Sequence, residues 1–347
     1  MIFSIYNVAK SLYAGNIREG ILNVKNSKEA ENLMEKAFEH IDYFEFEEAL
    51  DIGRGLIKKG FMGGYEVAAE ALNGLEKRTE AIALLREGIA KDPSIWSLYD
   101  ILGVYLSDEG DYRQAHEALE KALTCKNVVK NQVRYNDAVV FLREKEFDKA
   151  LSICSGITDK KHFLMAAALR MEVYENQKKF DEIIKEAVSI IDQNDATEEN
   201  AQDMSDIHAT LAQAYLSKGE RKKAEKHVEY SINIDDRCEK ALDLKRELAG
   251  IKSDRNKYFF MTVKGDWFLP VEEGEKNPSF YREYDIVAEN QQEALAIIRE
   301  FERKEVRDSI EIREFKDDGP CADEYKGVVW VSGYIFFDED EAAEEEE

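Results

Sequence analysis

Proline and cysteine are both scarce in this chain, which has four of each among its 347 residues. Because proline interrupts helices, its scarcity favours a chain built from helices over one built from proline-rich loops. The cysteines form no Cys-x-x-Cys pair, and they are scattered at Cys125, Cys154, Cys238 and Cys321. This spacing argues against a disulfide framework or a zinc site. We expect the cysteines to be buried or unreacted thiols in a reducing compartment.

Long hydrophobic runs are also missing from the sequence. No stretch approaches the roughly 18 apolar residues that a membrane-spanning helix requires. The apolar residues at the N-terminus are interrupted by Lys10 and have no basic leader before them, unlike a secretory signal. We therefore expect a soluble, cytoplasmic protein that does not associate with membranes, and we interpret residues 1–28 as N-terminal packing helices.

Positive charge is scarce relative to negative charge. The chain has 48 Lys and Arg against 73 Asp and Glu, which gives a formal net charge of -25 at pH 7. Nucleic acids and anionic membrane surfaces would repel such a chain. Protein or peptide partners with a basic or apolar surface fit this charge better.

The signatures of the common catalytic sites are absent from the sequence. There is no HExxH, no phosphate loop that ends in Gly-Lys-Ser/Thr, no GxSxG and no calcium loop. The five histidines lack the clustered spacing of a metal-ligand set, and helix packing or surface positions explain them. They are His40, His116, His162, His208 and His227. We predict no catalytic residue, no metal and no cofactor, and so a protein that is not an enzyme.

The clearest pattern in the sequence lies between Ser94 and Lys126. Two short amphipathic helices are predicted there, with a break at Gly110. Their apolar and small residues recur at helical spacing, at Tyr99, Leu102, Gly103 and Leu106 and then at Tyr112, Ala115, Leu119 and Ala122. Gly103 and Ala115 are small where two helices must approach each other. The pattern resembles the tetratricopeptide repeat, a helix–turn–helix unit of about 34 residues.

The two small positions of this pattern recur along the chain at intervals of 32, 34, 35, 33 and 41 residues, the last of which includes a polar insertion. The second-helix position is occupied by Ala49, Ala81, Ala115, Ala150, Ile183 and Ala224. The first-helix position, twelve residues earlier, is occupied by Ala37, Ala69, Gly103, Ala138, Met171 and Ala212. Repeat one departs from the family pattern at Gly53. Repeat five has Met171 and Ile183 in place of both small residues, so we expect its helices to lie further apart.

The resemblance covers about residues 29–251 and implies a mostly α-helical fold. A tetratricopeptide array is a right-handed superhelix, here of about six helix–turn–helix repeats. The amphipathic segment from Asp236 to Ile251 is similar to the solvating helix that closes such arrays.

The resemblance also implies a concave groove, lined by the first helix of each repeat, that binds extended peptides or partner helices. By the register of the family, the residues that face the groove are Glu66, Glu70, Asn73, Asp100, Val104, Ser107, Gln132, Tyr135, Asn136, Val139, Arg143, Glu172, Glu175 and Gln213.

The chemistry of these groove positions differs from the carboxylate clamp known in the family. Asn136 occupies one clamp position, but Glu66, Glu70 and Asp100 stand where a clamp needs Lys or Asn. We expect these carboxylates to attract Lys or Arg of a partner, and Tyr135, Val139 and Leu142 to offer an apolar patch. The alternative is that the charges are solvated faces of a scaffold.

After Lys252 the sequence changes from helical to β-rich patterns. The order of the predicted elements is ββαββ over residues 257–337, which indicates a small α+β domain with an antiparallel sheet and one helix. The last strand is predicted as one long aromatic run from Gly327 to Phe337. Residues 338–347 form an acidic block that we expect to be disordered.

Two functions remain open from the sequence. The first is a scaffold or adaptor that binds partner proteins or peptides in the groove of the repeats. The second is a ligand-binding or enzymatic module in residues 257–337, with the repeats as a docking arm. The second hypothesis depends on the many aromatic residues of that domain, which mark either its core or a binding face: Trp267, Phe268, Tyr281, Tyr284, Trp330, Tyr334, Phe336 and Phe337.

Overall fold

The computed structural model describes residues 28–270 and 276–337. The helices predicted within residues 1–28 and the acidic block at 338–347 therefore lie outside the described residues, apart from Lys28. The chain divides into two compact units, with the division between Gln177 and Lys178. This division falls between the two helices of repeat five, the repeat in which Met171 and Ile183 replace the small residues.

The first unit consists of consecutive helices joined by short turns. Their bounds are α1 Lys28–Asp42, α2 Phe46–Lys58, α3 Gly63–Gly74, α4 Arg78–Lys91, α5 Trp96–Asp108, α6 Tyr112–Thr124, α7 Lys130–Arg143, α8 Phe147–Ser155 and α9 Lys160–Asn176. Each helix contacts the next one along the chain, and each first helix (α1, α3, α5, α7) also contacts the first helix of the following pair. This is the stacking of helix–turn–helix repeats that the sequence predicts.

The turn inside each helix pair contains one residue with left-handed backbone. In the first unit this residue is Phe44, Glu76, Gly110 or Lys145, with φ between 62° and 80°. A left-handed residue ends a helix and starts the reversal of the chain. Only one of these four residues is glycine. The other three adopt a backbone conformation that is unfavourable for residues with side chains, so the positions of glycine in the sequence do not reveal these turns.

The small positions lie where the helices of a pair are closest. A Cβ atom on Gly103 would lie 2.7 Å from Cγ of Leu119 and 3.2 Å from the carbonyl oxygen of Ala115. Ala37, Ala69 and Ala138 are completely buried at the equivalent positions. The small residues that define the repeat register therefore lie at the close helix–helix contacts that the register predicts.

Gly53, which departs from the family pattern, belongs to a second close approach, between repeats one and two. A Cβ atom on Gly53 in α2 would lie 2.8 Å from the backbone nitrogen of Ala68 in α3. Gly64 faces the same contact, because its Cβ atom would lie 2.7 Å from the carbonyl oxygen of Gly53. The departure from the pattern thus allows two helix backbones to touch.

The second unit begins with four helices and ends with a sheet. The helices are α10 Phe180–Ile191, α11 Ala201–Ser217, α12 Arg221–Ile234 and α13 Glu239–Ala249. They are followed by β1 Lys257–Asp266, β2 Ser279–Ala288, α14 Gln291–Phe301, β3 Glu311–Pro320, β4 Gly327–Val331 and β5 Ile335–Phe337. The mostly helical fold with a small α+β part is confirmed.

All strand pairs in the sheet are antiparallel. The strand order is β3-β1-β2-β4, and β5 pairs with the beginning of β2. Met261 lies opposite Tyr284 in the central pair, and both are completely buried on the face that α14 covers. Side chains alternate between this face and the other one, as the period of a strand requires.

The prediction of one long strand from Gly327 to Phe337 is wrong, because the structure has two short strands there. Ser332 interrupts the run: its amide donates to the carbonyl oxygen of Glu283 at 3.0 Å, and its hydroxyl accepts from the amide of Glu283 at 2.9 Å. The chain then resumes pairing with β2 only at Ile335. The side-chain hydroxyl replaces a backbone partner and breaks the ladder.

Helix α13 has more than the solvating role predicted for it. Ala241 packs with Ala209 of α11, while Leu242 belongs to the same hydrophobic cluster as Met261 and Ile286 of the sheet. One helix therefore contributes to the repeat packing and to the core of the sheet. The predicted limits of 29–251 for the array and 257–337 for the small domain stay predictions.

Candidate functional site

The predicted groove residues lie on the first helices α3, α5, α7 and α9, with Gln213 on α11 of the second unit. None of them is fully exposed. Glu70, Asn73, Val104, Val139, Arg143, Glu172, Glu175 and Gln213 are half-buried. The other six are buried: Glu66, Asp100, Ser107, Gln132, Tyr135 and Asn136.

Pairs of these residues connect each first helix to the first helix of the next repeat. The hydroxyl of Ser97 in α5 donates to Oε1 of Glu66 in α3 at 2.5 Å. Further along the same two helices, the hydroxyl of Tyr105 donates to Oε2 of Glu70 at 2.6 Å. Side chains that the sequence assigned to a partner therefore also bond to the neighbouring repeat.

The same pattern joins α5 to α7. Nδ2 of Asn136 donates to both carboxylate oxygens of Asp100, each at 3.0 Å. An Nη nitrogen of Arg143 donates to the hydroxyl of Ser107 at 2.9 Å. We call this set of buried and half-buried polar residues on α3, α5 and α7 the first-helix layer.

Burial changes the acidity of two carboxyls in the first-helix layer. It raises the pKa of Glu66 to about 7, although the hydrogen bond from Ser97 acts in the opposite direction. It raises the pKa of Asp100 to about 7 as well, against the hydrogen bond from Asn136. A carboxyl that is removed from water and has no cation beside it favours the neutral form.

Asp108 and Arg78 are important charges in this region that sequence reasoning missed. Oδ1 of Asp108 lies 2.5 Å from an Nη nitrogen of Arg143, and Oδ2 lies 3.8 Å from Nε of Arg78. Nε of Arg78 also donates to Asn73 at 3.0 Å. The spacing of one repeat between Asp108 and Arg143 was the available signal in the sequence.

The predicted apolar patch does not form as expected. Leu142 is buried within the core of repeat four, with Ala150 and Cys154 among its neighbours. Tyr135 is buried in the same cluster, and Val139 is half-buried beside it. Residues at helical spacing on one face were divided between core and surface by the neighbouring helices.

The histidines pair with nearby side chains. His208, predicted to fill a packing position, is buried, and its Nδ1 lies 3.0 Å from Nδ1 of His227. Burial lowers the pKa of His208 to about 4. His116 lies between Asp137 and Glu144, with nitrogen–oxygen distances of 2.5 and 3.1 Å. Across residues 28–270 and 276–337, no group of three or more His, Cys, Asp and Glu side chains is arranged to hold a metal ion.

The aromatic residues of the sheet divide between its core and its surface. Tyr284 is completely buried, and its hydroxyl donates to Glu302. Phe336 is 40% exposed and packs on Trp267, with ring centroids 5.1 Å apart. Ile335, next to it in β5, is 59% exposed. An apolar surface therefore reaches solvent around β5, and Phe315 of β3 is exposed as well.

A search of the described residues for membrane-spanning helices finds none that is long and apolar enough. No family model matches the chain, and no curated protein matches it.

Several solved structures are similar to the chain. They include Pseudomonas aeruginosa pilF, with 11% identity over 63% of this chain and 97% of that chain and a TM-score of 0.46. The TPR protein YrrB, described with an unusual peptide-binding site, has 19% identity over 56% of this chain and 96% of its own, with a TM-score of 0.36. The Cut9–Hcn1 structure of the APC/C has 15% identity over 70% of this chain and 47% of that chain, with a TM-score of 0.48.

The stacked helix pairs of the chain itself, with their small residues at the contacts, define its class. The helical part has the tetratricopeptide-type helical-repeat fold, as the sequence predicts.

Proposed function

We propose that the chain is a scaffold or adaptor that binds partner proteins or peptides along the first helices of its repeats. The observation that supports this proposal is a group of half-buried side chains on the same helices as the buried carboxyls. Val104 and Val139 are half-buried on α5 and α7, and Glu70 is half-buried on α3, where its carboxylate also accepts a hydrogen bond from Tyr105. A peptide lying across these helices would meet acidic and apolar groups in alternation.

The charge of the chain favours a partner with a basic or apolar surface over nucleic acid or a membrane. The net charge of -25 would steer basic proteins toward it and repel phosphate backbones. We place the protein in the cytoplasm, with support from its four cysteines, which are free thiols. The limits of 29–251 for the array and 257–337 for the small domain belong to this proposal, since α13 ends at Ala249 and β1 begins at Lys257.

Site-specific photo-cross-linking in the full chain tests this proposal. A photoreactive phenylalanine analogue replaces Val104 or Val139 on the first helices, and Arg113 on α6 serves as the control because its side chain is 76% exposed. After irradiation in the native lysate, the proposal predicts one discrete protein adduct from both first-helix positions and none from the control. Adducts of equal yield from all three positions would contradict it.

The alternative function, a ligand-binding or enzymatic module in the sheet, has the exposed surface around β5 as its specific support. The inner face of the sheet is filled by Arg282, Tyr284 and Glu302, so a ligand would have to bind near Phe336. The same photoreactive group at Phe336 distinguishes the two functions. A discrete adduct from Phe336 alone would favour the sheet.

A further inference from the structure

Glu66 and Asp100 are buried in the first-helix layer, and none of the residues 28–270 and 276–337 places a cation beside them. Their only hydrogen-bond donors within the described part of the chain are the neutral side chains of Ser97 and Asn136. Asp108, on the same helix as Asp100, is instead paired with Arg143. Of the acids in this layer, the half-buried Asp108 is neutralised by an arginine of the chain, whereas the two buried acids have no counter-charge among the described residues.

The second oxygen of Glu66 is also without a hydrogen bond. Glu66 is only 2% exposed, and its Oε2 atom is buried with no partner in residues 28–270 and 276–337. A buried polar atom without a partner destabilises the folded chain, and native structures retain few of them. Asp100, 4% exposed, is the neighbouring charge, and it acts on Glu66 electrostatically. The oxygen of Glu66 that lacks a hydrogen bond therefore lies near Asp100, the second acid without a counter-charge.

We propose that Glu66 and Asp100 form a subsite for one cationic side chain, a lysine or arginine of a partner peptide. The inference rests on the proposed function, because it names the chemical class that the first-helix layer recognises. An ammonium or guanidinium group donates several hydrogen bonds, which suit Oε2 of Glu66 and the lone pairs that Asn136 leaves free on Asp100. It also supplies the missing charge.

The surface next to the two acids provides a route for the entering side chain. Glu70 lies one turn after Glu66 on α3, Val104 lies one turn after Asp100 on α5, and both are half-buried. The apolar stem of a lysine or arginine would pack against Val104 while its charged end passes Glu70. Rotation of Glu66 toward the ligand breaks only the bond from Ser97, because Oε2 has none to lose.

Binding at this subsite is coupled to proton release. Burial raises the pKa of both acids to about 7, so at pH 6 they are largely neutral before the ligand arrives. A bound cation stabilises the carboxylate form and lowers these pKa values. The proton leaves to the buffer, and no covalent bond changes.

Calorimetric titration of the full chain with a blocked alanine peptide that contains one central arginine tests the proposal. The comparison ligand is the same peptide with citrulline, which has nearly the same shape and no charge. At pH 6 the wild-type chain is expected to bind the arginine peptide about tenfold or more tightly than the citrulline peptide, as charge-assisted hydrogen bonds predict. Heats measured in two buffers of different ionisation enthalpy should show proton release with arginine only.

Two double variants separate the subsite from the general acidity of the chain. Glu66→Gln with Asp100→Asn removes the two charges and keeps the side-chain shapes, and it should abolish both the arginine preference and the proton release. Glu80→Gln with Glu117→Gln removes the same charge from exposed positions and should leave both unchanged. Thermal melts verify that the variants fold. Because the replaced acids are buried, we do not expect their neutralisation to lower the melting temperature.

The outcomes distinguish this inference from the proposed function. Equal weakening by both double variants, or equal affinity of the arginine and citrulline peptides, would overturn the subsite. If cross-linking at Val104 and Val139 still yields a discrete partner, the scaffold function stands without the subsite. If arginine binds and releases protons while cross-linking fails, the subsite stands and the scaffold function does not.

Discussion

In the first unit, the donors to the buried Glu66 and Asp100 from the described residues are all neutral, whereas in the second unit Arg282 is buried between two carboxylates. The Nη nitrogens of Arg282 lie 2.7 Å from Oε1 of Glu302 and 2.7 Å from Oδ1 of Asp236. Its Nε donates to the carbonyl oxygen of Ser332 at 2.9 Å. Within each unit the buried charge connects separate elements, but of these groups only the arginine has charged partners among residues 28–270 and 276–337.

This difference separates a structural charge from one that is open to a ligand. Asp236 lies between α12 and α13, and Glu302 follows α14, so Arg282 fixes both helical segments to β2. The hydroxyl of Tyr334 completes the network by donating to Oε2 of Glu302 at 2.6 Å. A satisfied network of this kind stabilises one arrangement. Glu66 and Asp100 of the first unit have no such network, so their protonation can change without breaking a salt bridge.

The largest expected effect comes from removal of the buried arginine. Arg282→Met leaves Glu302 and Asp236 without their cation, and we expect the free energy of unfolding of the second unit to fall by about 3–5 kcal/mol. Urea unfolding followed by the fluorescence of Trp267 and Trp330 measures it. Arg313→Met, at an exposed position in β3, is the control and should change stability by less than about 0.5 kcal/mol. Similar losses in both variants would mean that the network contributes little.

The second effect is a dependence on pH in the first unit. Because burial raises the folded pKa of Glu66 from 4.5 and of Asp100 from 3.8 to about 7, the folded chain binds more protons than the unfolded chain between these values. The free energy of unfolding therefore falls as the pH rises from about 4 to about 7, by on the order of 3 kcal/mol per carboxyl over the whole interval. The Glu66→Gln, Asp100→Asn variant should lack this decrease in unfolding measurements between pH 5 and 8. Parallel curves for variant and wild type would refute the assignment.

The third effect compares two glycines of the same helix. Gly53→Ala places a methyl group against the backbone of Ala68, so we expect a loss of about 1–3 kcal/mol. A Cβ atom on Gly55 meets nothing within 4 Å, and Gly55→Ala should stabilise α2 by about 0.5–1 kcal/mol. Denaturation midpoints of the two variants measure the difference. The close approach of α2 and α3 is disproved if both substitutions stabilise.

The smallest effect runs in the opposite direction with pH and belongs to the second unit. Burial lowers the folded pKa of His208 from 6.5 to about 4, so the unfolded chain binds the extra proton between these values. Stability is then lost as the pH falls from about 6.5 toward 4, by on the order of 1 kcal/mol at pH 5, where only part of this interval has been crossed. Thermal melts of wild type and His208→Gln at pH 5 and 7.5 measure this, and the variant should show the smaller decrease.

Much of the helical array was predictable because its determinants are local and repeated. Gly103, Ala115 and their equivalents recur at one repeat length, and helical spacing identifies the faces that pack. The turns at Phe44, Glu76 and Lys145 gave no such signal, since their left-handed backbone is imposed by the helices on either side. The register could be found without them because two small positions carried it.

The sequence predicted which positions form the candidate site, but it did not predict the burial or the hydrogen-bond partners of the residues at these positions. The family register identified Glu66, Asp100 and Asn136, yet it could not indicate that Asn136 bonds to Asp100 across repeats. The burial of Leu142 was likewise decided by the helices that cover it. The exposure of a side chain depends on neighbours that are distant along the chain, and the hydrophobic periodicity of one helix contains no information about those neighbours.

By itself, the sequence determined the class of fold, the helical repeat with its small contact positions, and the succession of two strands, one helix and further strands in the small α+β part. These features depend on residue type and on spacing along one element, which a sequence displays directly. Only the tertiary structure decided which charges have partners. Arg282, Asp236 and Glu302 come together from separate parts of the chain, while Glu66 and Asp100 have no cation beside them within the part that the structure describes. Such encounters require folded helices that bring distant side chains together.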